Sequence, residues 1–283
     1  MKATARDDIK TISNSAGLLL RQWRDIRGKT QLDLSFDAGV SQKHISFVES
    51  GRSVPSRQMV VDLAQALDVP LRERNELLMA AGYAPLYSDQ ALDAPVMNSI
   101  SKALQRMLRQ HEPFPAIVMD RHWNVLMTND AAPRLFNCFI DIAARPSPRN
   151  LLHLMFDPAG MRPFIANWPQ TARGLLARVH REALGHVLDQ RMKTLLAELS
   201  EYPGVKPEWR VPFPGDVMPM IPLAFFKDGV TLNYFSMITT VGTPQTVTAE
   251  ELRLECMFPA DDSTETKHGP FVKANSTPRS AHH

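Results

Sequence analysis

The chain has 283 residues, of which 44% are hydrophobic and 22% charged, enough for two packed cores and too apolar for a disordered polymer. No stretch approaches about 18 uncharged apolar residues, so membrane insertion is not expected. The polar start Met1-Lys2-Ala3-Thr4-Ala5-Arg6-Asp7-Asp8 lacks a secretory apolar segment, which predicts a cytoplasmic protein, and two distant cysteines (Cys138 and Cys256) make neither a disulfide framework nor a zinc spacing.

Residues 15–85 read as five short helices with sharp punctuation. Leu19, Leu20, Trp23 and Ile26 recur at helical spacing until Gly28 stops the pattern. Thr30 suits an N-cap, with Asp33 three residues on as a short-armed capping box. The second helix carries Leu32, Leu34 and Phe36 and ends at Ala38-Gly39-Val40, where glycine supplies the positive φ of a tight turn. Ser41 caps a third helix with Ile45 and Val48 facing inward. A fourth runs from about Ser56 with Met59, Leu63, Ala66 and Leu67, and a fifth follows Pro70 with Leu77, Leu78 and Ala81.

Two helices joined by a glycine turn inside such a bundle have the geometry of a helix-turn-helix. The polar face of the third helix carries Gln42, Lys43, His44 and Ser46, and Gln and Lys near a helix N-terminus can read base edges in a major groove. Gln31 and Arg52, at the flanks, are placed to hold phosphates. The net charge of +2 is small, but between Arg21 and Arg57 seven basic side chains face four acidic ones. Thr30-Gln31-Leu32-Asp33, Ala38-Gly39-Val40-Ser41, His44-Ile45-Ser46, Val48-Glu49-Ser50-Gly51-Arg52 and Pro55-Ser56-Arg57 resemble the Cro/C1-type (xenobiotic-response-element) helix-turn-helix regulators. Ser35 departs from the alanine frequent there. The resemblance makes Gln31 a backbone contact and sets Gln42, Lys43 and Ser46 at base-facing positions. The expected DNA-binding residues are Gln31, Ser41, Gln42, Lys43, His44, Ser46 and Arg52, and the expected partner is a double-stranded DNA operator bound by a homodimer that resides with the bacterial nucleoid when bound.

Residues 86–95 read as a linker. From 96 to 262 the pattern is α+β: a helix with Ile100, Ala103, Leu104, Met107 and Leu108, then short strands 116–119 and 124–128 around Asp120-Arg121-His122-Trp123. Asn129-Asp130 leads into a helix, and residues 150–200 read as further helices. Strands return at 223–226, 230–238 and 251–258, with Lys227-Asp228-Gly229 as a hairpin turn. Short connections make the sheet antiparallel, so the expected fold is a PAS-like domain with inserted helices. Residues 263–283 are rich in Ser, Thr, Lys and Pro and read as a flexible tail.

Asp120-Arg121-His122-Trp123-Asn124-Val125 with Asn129, Asn150-Leu151-Leu152 with Phe156-Asp157-Pro158, and Asn167-Trp168 resemble the MmyB-like ligand-binding domain. Gly242-Thr243-Pro244, Glu251-Leu252-Arg253 and Phe258-Pro259-Ala260-Asp261 extend the resemblance over nearly all of the second half. It implies a PAS-like sensor and dimerisation domain that encloses a small apolar, fatty-acid-like ligand and needs no other cofactor. A deformable apolar wall would draw on Met119, Met127, Phe136, Phe156, Phe164, Phe225, Phe235 and Met237, with Asn129 at the strand-to-helix junction. Taken one at a time, each of these side chains is more readily a core filler than a ligand contact, and Asn129 more readily a structural cap. A ligand-independent regulator whose second domain only dimerises is the alternative. Enzymatic readings lack a site: His180 and His186 lie about 240° apart on a helix, Cys138 and His153 have no orienting third group, and no phosphate loop or dinucleotide fingerprint occurs.

Overall fold

The computed structural model describes residues 15–184, 189–210, 220 and 223–275. These form two compact units, one of residues up to 90 together with 243–250, the other of the remaining segments.

The first unit is a five-helix bundle. Helix α1 covers 15–26, followed by α2 (Gln31–Ala38), α3 (Gln42–Glu49), α4 (Arg57–Ala66) and α5 (Leu71–Ala80). Its punctuation is the one the sequence dictates. Thr30 and Asp33 form a complete capping box, Gly39 sits at φ 64°, and Ser41 and Ser56 cap α3 and α4. Leu20, Trp23, Leu34, Ile45, Val48, Leu63 and Leu78 fill the core. On α2 only Leu34 is buried, whereas Leu32 and Phe36 are exposed, because an eight-residue helix offers one turn of its surface to the bundle. Pro70 leaves α5 without a side-chain cap of its own, and Glu250 supplies one by accepting from the Leu71 amide at 2.7 Å. Residues 86–90, read as linker, are tied down: Asn75 Oδ1 accepts from the amides of Leu86 and Tyr87.

The second unit is built on a five-stranded antiparallel sheet ordered β2-β1-β5-β4-β3, with β1 Ala116–Met119, β2 Val125–Thr128, β3 Leu223–Lys227, β4 Val230–Thr240 and β5 Arg253–Pro259. The β3–β4 hairpin turns on Asp228 and Gly229, both at positive φ. Helices α6 (Asn98–Gln110), α7 (Ala131–Asn137), α8 (Leu151–Phe156), α9 (Trp168–Leu184) and α10 (Gln190–Glu201) belong to this unit; the short α11 (Val247–Glu251), which precedes β5 in the chain, lies in the first unit except for Glu251. The core gathers Trp123, Leu135, Phe156, Leu176, Val179, Phe225 and Tyr234.

The segment read as a tail begins with a helix, α12 (Asp262–Asn275), which buries Thr264, His268 and Phe271 on one face. Asp261 caps it by accepting from the Thr264 amide at 2.7 Å. A polar composition misled here because a three-residue buried stripe is enough to dock a helix on a sheet. Residues 276–283 lie outside the described residues.

Candidate DNA-reading helix and ligand cavity

Helix α3 follows the glycine turn at Gly39, and the Ser41 side chain accepts from the His44 amide. Ile45, Val48 and Glu49 face the bundle; Gln42 and Lys43 in the first turn are exposed, and His44 and Ser46 are half-buried. The seven basic side chains counted in the sequence separate into two groups. Arg24 grips Glu49, Arg27 donates to the Leu67 and Asp68 carbonyls, Lys29 pairs with Asp37, and Arg21 pairs with Asp25. Lys43, Arg52 and Arg57 are exposed and have no carboxylate partner among the described residues. They remain available to phosphates or base edges.

Phe47 is the residue that sequence reasoning passed over. Its ring lies 5.7 Å from the Lys43 ammonium, one turn earlier on α3, and 5.7 Å from the Arg52 guanidinium, which follows the end of the helix. The signal was available: Phe47 follows Lys43 by four residues and so shares its face. Gln31 stands at the start of α2, half-buried, with its amide donated to Glu49 at 2.8 Å.

The second unit contains a cavity of about 490 Å3, within the ~300–1,000 Å3 typical of small-molecule sites. Alternation along the sheet decides what faces it: Tyr234, Ser236 and Ile238 of β4, and Glu255 and Met257 of β5. The opposite wall is apolar, with Phe136 from α7, Leu151, Leu152 and Met155 from α8, and Leu175 from α9. Of the sequence candidates, Phe136 and Phe235 touch the cavity; Phe136 faces it from α7, whereas Phe235, by the same alternation, stands on the other face of β4 stacked on Phe258 and borders the cavity only at its edge. Met119, Phe156 and Phe225 are fully buried core residues, Phe164 packs on Phe139, Met127 is half-buried on β2, and Met237 is exposed. Period two explains Met237: with Ser236 and Ile238 facing the cavity, it points to the other side. Asn129 is a cap, its Oδ1 accepting from Ala116 and Ala132 amides at 3.0 and 3.1 Å and its Nδ2 donating to the Phe114 carbonyl at 2.7 Å.

The charged part of the wall comes from residues that carried no sequence signal as a group. Trp123 sits at φ 68° in the β1–β2 turn, a conformation unusual for a bulky side chain. Its indole Nε1 donates to Glu182 at 3.0 Å, and the Arg178 guanidinium lies 4.1 Å over its ring. Arg178 also donates to Glu182 at 3.0 Å and Glu255 at 3.4 Å, while Arg253 pairs with Glu182 at 2.8 Å. Two cations and two anions balance, and Arg181 adds a positive charge at the wall that has no carboxylate partner among the described residues.

Among the described residues no activated nucleophile emerges. The Cys138 thiol is buried against the Arg134 carbonyl, and desolvation pushes its pKa up, away from thiolate. His153 is engaged by Tyr202 and Glu198, and His186 lies outside the described residues. Among the described residues no helix is long and apolar enough to cross a membrane.

Residues 20–74 match the helix-turn-helix family model, and residues 100–268 match the model of the MmyB-like transcription regulator ligand binding domain. Comparison with curated proteins gives no match. These are the domains of a transcription regulator rather than an enzyme, and the second match spans more than half of the chain. The chain with the capped α3 and the walled cavity therefore belongs to the MmyB-like transcription regulators, with a DNA-binding helix-turn-helix domain followed by a ligand-binding domain.

Proposed function

We propose that this regulator senses a small apolar, fatty-acid-like molecule in the second unit and adjusts operator binding by the first. The observation that carries the reading is the cavity, whose wall is mainly apolar, with Thr171, Tyr234 and Ser236 among its lining and one charged end. A flexible aliphatic guest would exchange its hydration for Phe136, Leu152, Met155 and Leu175. The protein acts in the cytoplasm as a homodimer, setting two α3 helices about 34 Å apart on a pseudo-palindromic site. Gln42, Lys43, His44 and Ser46 face base edges, and Ser41, Gln31 and Arg52 lie along the backbone. A ligand shifts operator affinity only by as much as it prefers one dimer geometry.

The test is mass spectrometry of an organic extract of the purified protein, paired with operator titrations before and after delipidation. A stoichiometric aliphatic acid whose removal changes operator affinity supports the reading. A Leu175→Trp variant, with the cavity filled, should then lose the lipid and its effect. Operator affinity indifferent to lipid and to Leu175→Trp would instead mark the second unit as a plain dimerisation domain.

A further inference from the structure

Helix α9 presents Thr171, Leu175, Arg178 and Arg181 to the cavity, a stripe in steps of four, three and three residues. Across from it, β4 and β5 pair Ser236 with Met257 and Ile238 with Glu255, so the acidic side chain of the sheet wall stands at the second of these pairs. The 3.4 Å contact from Arg178 to Glu255 fixes Arg178 at the level of that second pair. Arg181 lies one further turn along α9, about 4.5 Å beyond it at 1.5 Å per residue.

The two arginines are not equivalent. Arg178 is consumed by the protein, with Glu182 and Glu255 on its N–H groups and Trp123 under its face. Arg181 is exposed and has no acidic partner among the described residues. With the Arg178, Arg253, Glu182 and Glu255 charges mutually compensated, the net charge that the described residues place at this end of the cavity is the Arg181 guanidinium.

We propose that Arg181 is the head-group residue of the site: it holds the carboxylate of an aliphatic acid whose tail runs inward along Leu175 toward Leu152 and Met155. A planar guanidinium receives a carboxylate through two parallel N–H bonds, and its place at the exposed end lets the head remain partly hydrated while the tail is desolvated. Arg178 and Glu255 shape that end without binding the head. This inference rests on the reading of the cavity as a ligand site.

The experiment is calorimetric titration of delipidated full-length protein with decanoate and with decanol, two probes of one tail length, for wild type, Arg181→Gln and Arg181→Glu. The expected result is a preference of about tenfold or more for decanoate in the wild type, its loss in Arg181→Gln with decanol affinity unchanged, and its reversal toward decanol in Arg181→Glu. Equal affinity of the two probes in the wild type, or a preference that survives Arg181→Gln, overturns the head-group assignment and leaves the cavity reading intact. Failure of both probes to bind overturns the cavity reading, and the assignment with it. Arg181 is at the surface, so its replacement leaves the core undisturbed.

Discussion

Gln31 Nε2 donates to Glu49 Oε2 at 2.8 Å, joining the first residue of α2 to the last residue of α3. The same carboxylate receives Arg24 of α1 through Nε at 2.7 Å and Nη2 at 3.1 Å. One buried anion therefore fixes the angle between the two helices of the DNA-binding motif and ties both to α1. The backbone-contacting role proposed for Gln31 depends on this grip, because the bond orients its side chain before any phosphate arrives.

Glu49→Ala should destabilise the first unit by about 3 kcal/mol, since breaking a buried pair strands the remaining charge. The Arg24 side chain retains only 11% of its exposure and would keep just the Lys29 carbonyl and Asp25. Thermal unfolding measures the effect, and for a unit of this size it amounts to roughly 12–24 °C. A Tm within a degree of wild type would show that the Arg24–Glu49 pair does not hold the motif together.

Lys43 and Arg52 flank the same aromatic ring yet should fail differently. Lys43→Ala, in the first turn of α3, should cost about 1–3 kcal/mol of discrimination between operator and altered sites. Arg52→Ala should weaken binding to every sequence alike and reduce the salt slope by about one. Phe47→Ala should impair both, by freeing both cations. Titrations of operator and scrambled DNA at several salt concentrations distinguish these outcomes, and identical behaviour of the Lys43 and Arg52 variants would remove the distinction between reading and holding.

Asn129→Asp preserves shape and two of three hydrogen bonds. It replaces the donor to the Phe114 carbonyl with a carboxylate oxygen, in a residue that is 6% exposed. Two acceptors face to face, one of them charged, should cost about 2–3 kcal/mol at neutral pH. The loss should shrink on acidification as the new carboxyl takes up a proton and can donate. Chemical denaturation of the variant and wild type at both pH values tests this, and a pH-independent loss would point to packing instead.

What the sequence revealed follows how local the determinants are. Thr30, Asp33, Gly39 and Ser41 act within their own turns, so the helix-turn-helix was legible residue by residue. The strands were legible because Lys227-Asp228-Gly229 and the apolar runs around it are likewise local. Which cations stay free was not, since Arg24 is spoken for by Glu49 twenty-five residues away, and charge counting cannot see that. The cavity end was hidden for the same reason: Trp123, Arg178, Arg181 and Glu255 come from a turn, a helix and a strand. Aromatic and methionine content identified an apolar half but not its surfaces, because Phe225 in the core and Phe235 at the cavity edge differ by position in the sheet and not by chemistry.

His268 gives α12 a pH-dependent attachment. Its Nε2–H donates to the Pro113 carbonyl at 2.9 Å, so Nδ1 carries the lone pair that accepts the Tyr234 hydroxyl at 2.7 Å. Burial holds the His268 pKa below its usual value, outweighing the upward pulls of the Pro113 carbonyl and Glu112. In the unfolded chain the imidazole takes up its proton near pH 6.5. Between that value and the lower folded one the unfolded state binds more protons, so stability present above pH ~6.5 is lost as pH falls through the window. Protonation would also set an N–H against the Tyr234 O–H. Tyr234→Phe should cost about 1–3 kcal/mol by leaving Nδ1 without a donor. His268→Gln should flatten the acid limb of the stability profile, because a side chain that does not titrate has no proton to gain. Denaturation midpoints across roughly pH 5 to 8 test both variants. An acid limb as steep in His268→Gln as in wild type would place the dependence on another group.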